Sequence, residues 1–251
     1  MTASWALAAV IGLMIGSFLN VVIARLPERR SLWKPGSACP TCGAAITWYD
    51  NIPLLSYALL RGRCRACAGS ISVRYPVVEA VTAALFVAAV ARFGWGRDLA
   101  VAWILLAALV AITAIDLDHQ IIPDVITLPG IVTGFVVNVA SGRLLWTDSL
   151  LGIVLGGGVF FAIILASGGG MGGGDMKLGA MLGAFLGWKV TLVAIFISVV
   201  VGGVVAVAIL IAGRKGRKDR IPFGPFLAAG GAVALFWGEG LMRWYLDAFG
   251  G

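Results

Sequence analysis

Charged residues are scarce in this sequence, in which Asp, Glu, Lys and Arg together make up 12% of 251 residues. A soluble globular domain usually carries about 25%. Hydrophobic residues reach 60%, more than the core of one soluble domain buries, and this value also excludes a disordered chain. The 35 glycines follow no Gly-X-Y repeat, so a collagen is excluded as well. The composition therefore predicts that lipid surrounds much of the protein.

Histidine is nearly absent, and cysteine is confined to one short region. The single histidine, His119, flanks two acidic residues and is interpreted as a loop or headgroup-facing residue. All four cysteines lie between Cys39 and Cys67. Because Ser and Cys nucleophiles are usually activated by a neighbouring base such as His, this composition gives little support to a Ser–His or Cys–His hydrolase.

Apolar runs separated by short polar segments predict about eight transmembrane helices. A helix needs about 20 apolar residues to cross the hydrocarbon layer. The sixth run is shorter than that, so it is either a half-helix or the beginning of the seventh, which would leave seven spans. The eight runs cover residues 5–26, 77–93, 99–115, 125–140, 150–166, 178–188, 190–212 and 222–246.

The distribution of Lys and Arg predicts the orientation of these spans. If the N-terminus is outside, the loops on the inner side contain 14 of the 19 basic residues, a bias typical of cytoplasmic loops. No positive charge precedes the first apolar run, so we interpret it as a retained helix rather than a cleaved signal peptide. The net charge of +7 is explained by anionic lipid headgroups, and no nucleic-acid partner is expected.

Two C-x-x-C pairs form the cysteine region, Cys39 with Cys42 and Cys64 with Cys67. Two such pairs supply the tetrahedron of thiolates that zinc prefers, and the loop lies on the predicted reducing side, where structural disulfides are rare. We predict a structural zinc ion; four protein ligands leave no open position for chemistry. Gly43 and Gly69 are expected to permit the tight turns that follow the pairs. Unligated thiols or two local disulfides are the alternatives.

Acidic residues near the predicted inner ends of the spans are the candidates for chemistry, because an ionisable group in a span is costly. They are Glu79, Asp116, Asp118, Asp124 and Asp175. Asp116 and Asp118 are two residues apart and point about 200° away from each other on a helix, so a partner for Asp116 must come from elsewhere. The predicted topology places Asp175 at the same membrane face.

The glycine-rich stretch 168–175 ends at Asp175 and lacks the G-K-[ST] of a phosphate-binding loop. Its glycines would let the backbone approach a substrate chain closely. Asp175 is either a helix N-cap or a catalytic residue on this spacing, and for Asp124, which follows Pro123, the N-cap is the favoured interpretation.

A pair of facing carboxylates can carry out peptide hydrolysis without a metal. Two such groups at close range share one proton, since like charges resist double ionisation. The ionised member takes a proton from water, and the protonated member donates to the scissile carbonyl. Asp116 and Asp175 are the predicted pair.

Six motifs in order resemble those of the bacterial type IV prepilin peptidases, the bifunctional leader peptidase/N-methyltransferases of the GxGD class of membrane aspartyl proteases. The resemblance covers nearly the whole chain. The motifs are GSFLNVVIARLP at 16–27, the two C-x-x-C pairs with DNIP at 50–53 between them, RYPVVE at 74–79, D-x-D-x-x-x-x-P-D at 116–124, GGGDMK at 172–177 and IPFGPF at 221–226.

The resemblance implies that Asp116 and Asp175 cleave the leader of type IV prepilins or type II secretion pseudopilins at the cytoplasmic face of the bacterial inner membrane. It also implies that the new N-terminus is methylated with S-adenosylmethionine and that the cysteine loop is linked to this methylation and to zinc. The apolar segment of the pilin would lie among the spans. A protease-only member, a membrane transporter and an assembly scaffold are the alternatives.

The expected architecture is an all-α polytopic membrane protein with a small zinc-binding cytoplasmic loop domain between helices 1 and 2. The domains are a first transmembrane helix (1–26), the four-cysteine loop domain (27–76) and a transmembrane aspartyl protease domain (77–251). Residues expected to support the catalytic pair or the substrate are Glu79, Asp118, Asp124, Lys177, Gly172 and Gly174.

Overall fold

The computed structural model describes residues 2–168, 171–212 and 221–249, and these residues form helices, loops and two isolated β-bridges. A 3-10 helix (Trp48–Asn51) lies in the cysteine loop. The α-helices are α1 (Thr2–Arg25), α2 (Leu55–Leu59), α3 (Arg74–Phe93), α4 (Arg97–His119), α5 (Asp124–Ser141), α6 (Trp146–Ala166), α7 (Gly173–Ile211) and α8 (Gly224–Phe249).

Seven of these helices, all except α2, are long and apolar enough to cross a membrane. The expectation of an all-α polytopic membrane protein is therefore confirmed. The two predicted runs 178–188 and 190–212 fall together in α7, which has 39 residues. Helix α7 is interrupted at Gly187, where φ is 72° and ψ is 166°, a conformation open to glycine but strained for other residues.

The chain reverses its direction at Gly187. The neighbouring glycines Gly230 and Gly231 of α8 pack against Ser198 and Leu182, respectively. In a straight helix these two α7 residues would be about 24 Å apart, so they reach the same level of α8 only if the two halves of α7 are antiparallel. Seven helices therefore contain eight apolar segments, which explains why the sequence is compatible with both numbers of spans.

Polar side chains hold the end of the first half of α7 (173–186). The amide of Asn138 in α5 donates to the carbonyl oxygens of Ala184 and Phe185, each at 2.9 Å, and the hydroxyl of Ser149 in α6 donates to Ala184 at 2.9 Å. Both donors are completely buried. The last carbonyls of a helix have no partner within the helix, so these bonds satisfy groups that would be costly to leave unpaired.

Glycines set the distance between α6 and the first half of α7. Gly152 and Gly156 face Gly183 and Gly179, and a Cβ at any of the four positions would overlap the backbone of the opposite helix. Each helix thus contributes a G-x-x-x-G pattern, which permits close backbone approach where the hydrophobic effect does not drive association. This contact anchors the short helix that begins beside Asp175.

Contacts divide the chain into two compact units, Met1–Leu99 and Ala100–Gly251. In the first unit, α1 and α3 pack at another G-x-x-x-G pattern, where Gly12 and Gly16 lie against the backbone of Ala83 and Glu79. The cysteine loop connects these two helices. The division into 1–26, 27–76 and 77–251 stays a prediction.

Candidate active site and metal-binding cluster

Asp116 lies in the last turn of α4, at the end of an apolar helix. Its side chain is 4% exposed, whereas Asp118 and His119 on the same turn are exposed. The opposite environments of Asp116 and Asp118 follow from their helical spacing. Asp118 was a candidate for a role beside the catalytic pair, but the structure turns it away from the buried carboxylate.

A backbone group at the start of α8 binds the Asp116 carboxylate. The N–H of Gly224 donates to Oδ2 of Asp116 at 3.0 Å, and the bond is buried. A Cβ added at Gly224 would lie 2.6 Å from the same oxygen, so only glycine allows this approach. Sequence reasoning did not assign this role, although Gly224 lies within the IPFGPF motif.

Asp175 lies in the first turn of α7 but is not its N-cap. The N-cap is Gly172, and the backbone N–H of Asp175 donates to the Gly172 carbonyl oxygen at 3.2 Å, so the cap interpretation of Asp175 is wrong. The Asp175 side chain is 8% exposed, and its Oδ1 atom has no hydrogen-bond partner among the described residues. A buried acceptor without a partner is costly, so this oxygen is available to a hydrogen-bond donor such as water or a protonated carboxyl group.

The second unit brings Asp116 and Asp175 together. The two carboxylates are close enough to interact electrostatically. The side chain of Ile122 links their surroundings, because a Cβ added at Gly174 would lie 2.8 Å from its Cβ and one added at Gly224 would lie 3.2 Å from its Cδ1. The ends of α4, α7 and α8 therefore converge on one small site, and Gly174 is required there by space. A Cβ at Gly172 would make only ordinary contacts, the nearest at 3.7 Å from Asp175.

Lys177 and Asp124 form an ion pair that joins the first turns of α7 and α5. The Lys177 Nζ lies 2.6 Å from Oδ1 and 2.7 Å from Oδ2 of Asp124. The N-cap of α5 is Pro123, without a side-chain cap, so the favoured cap interpretation of Asp124 is also wrong. Because the side chains are 30% and 54% exposed, the pair contributes little to stability and mainly orients the two helix ends.

Glu79 has its partners within the first unit. Its side chain is 8% exposed, its Oε2 accepts a 2.9 Å hydrogen bond from the Leu54 N–H, and Ser17 of α1 donates to the same carboxylate. Leu54 has φ 59°, in the left-handed region that favours glycine. Glu79 thus fastens a strained point of the cysteine loop to α3, a role that its proximity to a predicted span did not reveal.

Asn20 is a buried polar residue of the 16–27 motif to which the sequence alone assigned no role. It is 3% exposed and donates through Nδ2 to the Tyr75 carbonyl oxygen at 3.1 Å. Its Oδ1 has no hydrogen-bond partner among the described residues. The signal that could have found it is the presence of an amide in an otherwise apolar run, where polar groups are costly.

The four cysteines are free thiols, and their Sγ atoms all lie within 4.8 Å of one another. The Sγ atoms of Cys39 and Cys67 are 3.9 Å apart. A zinc ion with four Zn–S bonds of about 2.3 Å places its sulfurs about 3.8 Å apart, so the cluster matches a tetrahedral metal site. Backbone N–H groups of Cys42 and Thr41 lower the pKa of the Cys39 thiol to about 6, which favours the thiolate form that binds metals.

The two cysteine pairs lie in turns with the same hydrogen bonds. The first cysteine of each pair bonds to the residue five positions later, Cys39 to Ala44 at 2.9 Å and Cys64 to Gly69 at 2.8 Å. Gly43 and Ala68 occupy equivalent positions with φ 73° and 57°. The segments 37–46 and 62–71 are thus a structural repeat, and the strained residue of the second turn is Ala68 and not the expected Gly69.

An ion pair joins the 3-10 helix to the second cysteine turn. Arg65, which lies between Cys64 and Cys67, donates through Nε and Nη2 to Asp50, with a shortest distance of 2.7 Å. These bonds lower the pKa of the Asp50 carboxyl. The ion pair thus ties the segment between the two cysteine pairs to the second cysteine turn.

Comparison with known proteins agrees with this architecture. Residues 10–93 match the family model of the bacterial peptidase A24 N-terminal domain, and residues 103–207 match that of the type IV leader peptidase family. No solved structure matches the chain.

Several relatives carry the name prepilin leader peptidase/N-methyltransferase. The one from Aeromonas salmonicida (strain A449) is 39% identical over 277 residues, covering 97% of this chain and 94% of the relative. The one from Pseudomonas aeruginosa is 38% identical, covering 96% and 92%. The one from Myxococcus xanthus is 44% identical, covering 83% and 64%. With this identity over almost its entire length, the chain belongs to the type IV leader peptidase family.

Proposed function

We propose that the protein is an aspartic endopeptidase of the membrane that removes the leader peptide of type IV prepilins or type II secretion pseudopilins and then N-methylates the new N-terminus. The relatives of this name span nearly the whole chain. The observation that carries the peptidase activity is the convergence of two buried carboxylates, Asp116 and Asp175, at the ends of α4 and α7.

The two aspartates share one proton in the resting site and divide the chemistry between them. The ionised carboxylate takes a proton from a water molecule, whose oxygen attacks the scissile carbonyl carbon, while the protonated carboxyl donates to the carbonyl oxygen. Return of a proton to the leaving amine then breaks the C–N bond. The roles belong to the pair, since strongly coupled groups titrate as a unit. The Gly224 N–H keeps Asp116 in place during these steps.

The active site would lie at the cytoplasmic face of the bacterial inner membrane, with the N-terminus outside. The support is the concentration of basic residues on that side, part of which lies at 213–220, outside the described residues. The bilayer then presents the apolar segment of the substrate as a helix, and the polar leader reaches the aspartates from the cytoplasm.

Zinc is the metal that fits the cysteine cluster best. Cys39, Cys42, Cys64 and Cys67 would hold it with no open position, so the ion would stabilise the loop between α1 and α3 rather than activate water. S-adenosylmethionine would supply the methyl group. Its support is the name of the relatives, and no residue of the described chain is assigned to its binding.

The test of the peptidase is cleavage of a prepilin in detergent by Asp116→Asn and Asp175→Asn variants. Each should reduce cleavage at least about 10³-fold, because a base and an acid that act together cannot replace each other. Asp247→Asn, an exposed position of α8, is the matched control and should cleave normally. Retained cleavage in both site variants would refute the catalytic pair.

The methylation is tested separately by mass spectrometry of a pilin produced together with the protein. Leader removal accompanied by the mass of one added methyl group supports both activities. Leader removal alone would show a protease-only member of the family.

A further inference from the structure

The contacts between α1 and α3 allow the depth of neighbouring groups in this pair of membrane helices to be compared. Gly16 lies against the backbone of Glu79, and the Asn20 side chain donates to the carbonyl oxygen of Tyr75. An advance of four residues along α1 thus corresponds to a return of four residues along α3, so the two helices are antiparallel. A group bound at the level of Glu79 consequently lies inside the pair of spans and not at its end.

The segment 48–59 of the cysteine loop returns to this depth. The N–H of Leu54 donates to the Glu79 carboxylate at 2.9 Å, and Ser17 of α1 donates to the same carboxylate. Ser17 precedes the last residue of α1 by eight positions, or about 12 Å along the helix axis. The five positions from Leu54 to Leu59 add at most about 8 Å along the axis of α2, so Leu59 also stays below the end of α1.

The exposed surface of this segment is apolar. The ten residues before Arg61 carry no charge, and Arg63 adds a second basic side chain two positions later. The exposed fractions of the side chains are 80% for Trp48, 51% for Leu55 and 73% for Leu59. An apolar and aromatic segment that ends in arginines is typical of the lipid interface, where arginine reaches the headgroup phosphates.

The backbone of the segment pairs its polar groups internally, as a lipid environment requires. The N–H groups of Ser56, Ala58 and Leu60 donate to carbonyl oxygens four residues earlier, at 2.9 to 3.0 Å. The Ser56 hydroxyl accepts from the N–H of Ile52 at 3.1 Å and donates to the carbonyl oxygen of Tyr49 at 2.8 Å. Water would satisfy such groups in a loop outside the membrane, whereas unpaired groups in lipid are costly. The internal pairing therefore favours lipid as the neighbour of this segment.

We propose that the segment 48–59 is embedded in the lipid interface at the membrane face that carries the cysteine loop. Its exposed apolar side chains contact acyl chains, and Arg61 and Arg63 lie at the lipid phosphates. Cys64 follows Leu59 by five positions, at most about 18 Å of extended chain, so this anchor keeps the four-cysteine cluster at the membrane surface. The loop is thus fixed to the membrane in its middle as well as at its two ends.

The first test measures depth by electron paramagnetic resonance of the full chain in vesicles of phosphatidylethanolamine and phosphatidylglycerol. A nitroxide is attached to p-acetylphenylalanine at Leu59, which leaves the four cysteines unmodified. We expect it to collide several-fold more often with oxygen, which concentrates in lipid, than with the water-soluble complex NiEDDA. A label at the exposed Val81 of α3 gives the reference for lipid, and one at the exposed Ala66, between Cys64 and Cys67, gives the reference for water.

More frequent collision of the label at Leu59 with NiEDDA than with oxygen would overturn the proposal. Because Leu59 is mostly exposed, the label should leave the fold intact, and an unchanged thermal midpoint checks this. The same measurement at Leu55, on the same short helix, decides the question if the variant at Leu59 does not fold.

The second test identifies the neighbour of the segment. Benzoylphenylalanine replaces Leu59 or, as the control, Ala66 in the full chain in the same vesicles, and prepilin is added before irradiation. We expect an adduct with lipid from position 59 and not from position 66. An adduct of position 59 chiefly with prepilin or with a second copy of the chain would overturn the proposal. Neither test depends on turnover, so failure to cleave prepilin would refute the peptidase function and not this inference.

Discussion

The contact between Gly224 and Asp116 allows a sharp test of the active-site geometry. In Gly224→Ala the new methyl carbon would lie 2.6 Å from Oδ2 and 3.1 Å from Cγ of Asp116, whereas non-bonded carbon atoms prefer about 3.5 Å or more. The carboxylate must retreat by about 1 Å and weaken its 3.0 Å bond to the Gly224 N–H. The backbone of Gly224 is not in the left-handed region, so the strain that alanine introduces comes from this clash and from a closer, 3.2 Å approach to the Cδ1 atom of Ile122.

A displacement of about 1 Å in a catalytic group costs about 10²-fold in rate, or about 2.7 kcal/mol of transition-state stabilisation. We therefore expect kcat/KM for prepilin cleavage to fall about 100-fold in Gly224→Ala, chiefly through kcat. Gly240→Ala is the matched control, because it lies in the same helix and its Cβ would meet no atom within 4 Å. The thermal midpoint of both variants in detergent separates a local effect from unfolding. Cleavage by Gly224→Ala within about twofold of the control would refute the convergence of α8 on Asp116.

Two further predictions concern the metal cluster and the reversal at Gly187. Cys42→Ser removes one of four thiolates, so the purified protein should no longer contain stoichiometric zinc when it is measured by elemental analysis. The control Asp116→Asn should retain one zinc per chain. Equal metal content in the two variants would contradict the four-cysteine site. Asn138→Leu removes a hydrogen-bond donor from the carbonyl groups of Ala184 and Phe185, and should lower the free energy of unfolding by about 1–3 kcal/mol. Thermal unfolding in detergent measures this effect, with Val136→Leu at an exposed position of the same helix as the control. An unchanged midpoint would show that these bonds do not hold the half-helix.

The spacing of hydrophobic residues was sufficient to predict the membrane helices and to predict that Asp116 and Asp118 point in opposite directions, because both depend on local spacing. In the described residues seven helices are long and apolar enough to cross a membrane, and Asp116 is buried while Asp118 is exposed. Glycines of both helices permit the close packing that is found where α6 meets α7. Predictions from local spacing failed where a side chain binds a residue far away in the sequence. Asp124 pairs with Lys177, 53 positions away, and does not cap its own helix.

The amino-acid sequence by itself determined that this chain is a polytopic helical membrane protein with two isolated acids and four clustered thiols, because composition and periodicity follow directly from residue types. Only the tertiary structure decided that Gly224 binds Asp116 across 108 positions and that α7 doubles back at Gly187. These features arise from contacts between helices that are distant along the chain. Their geometry depends on how closely the backbones approach, which no local pattern specifies.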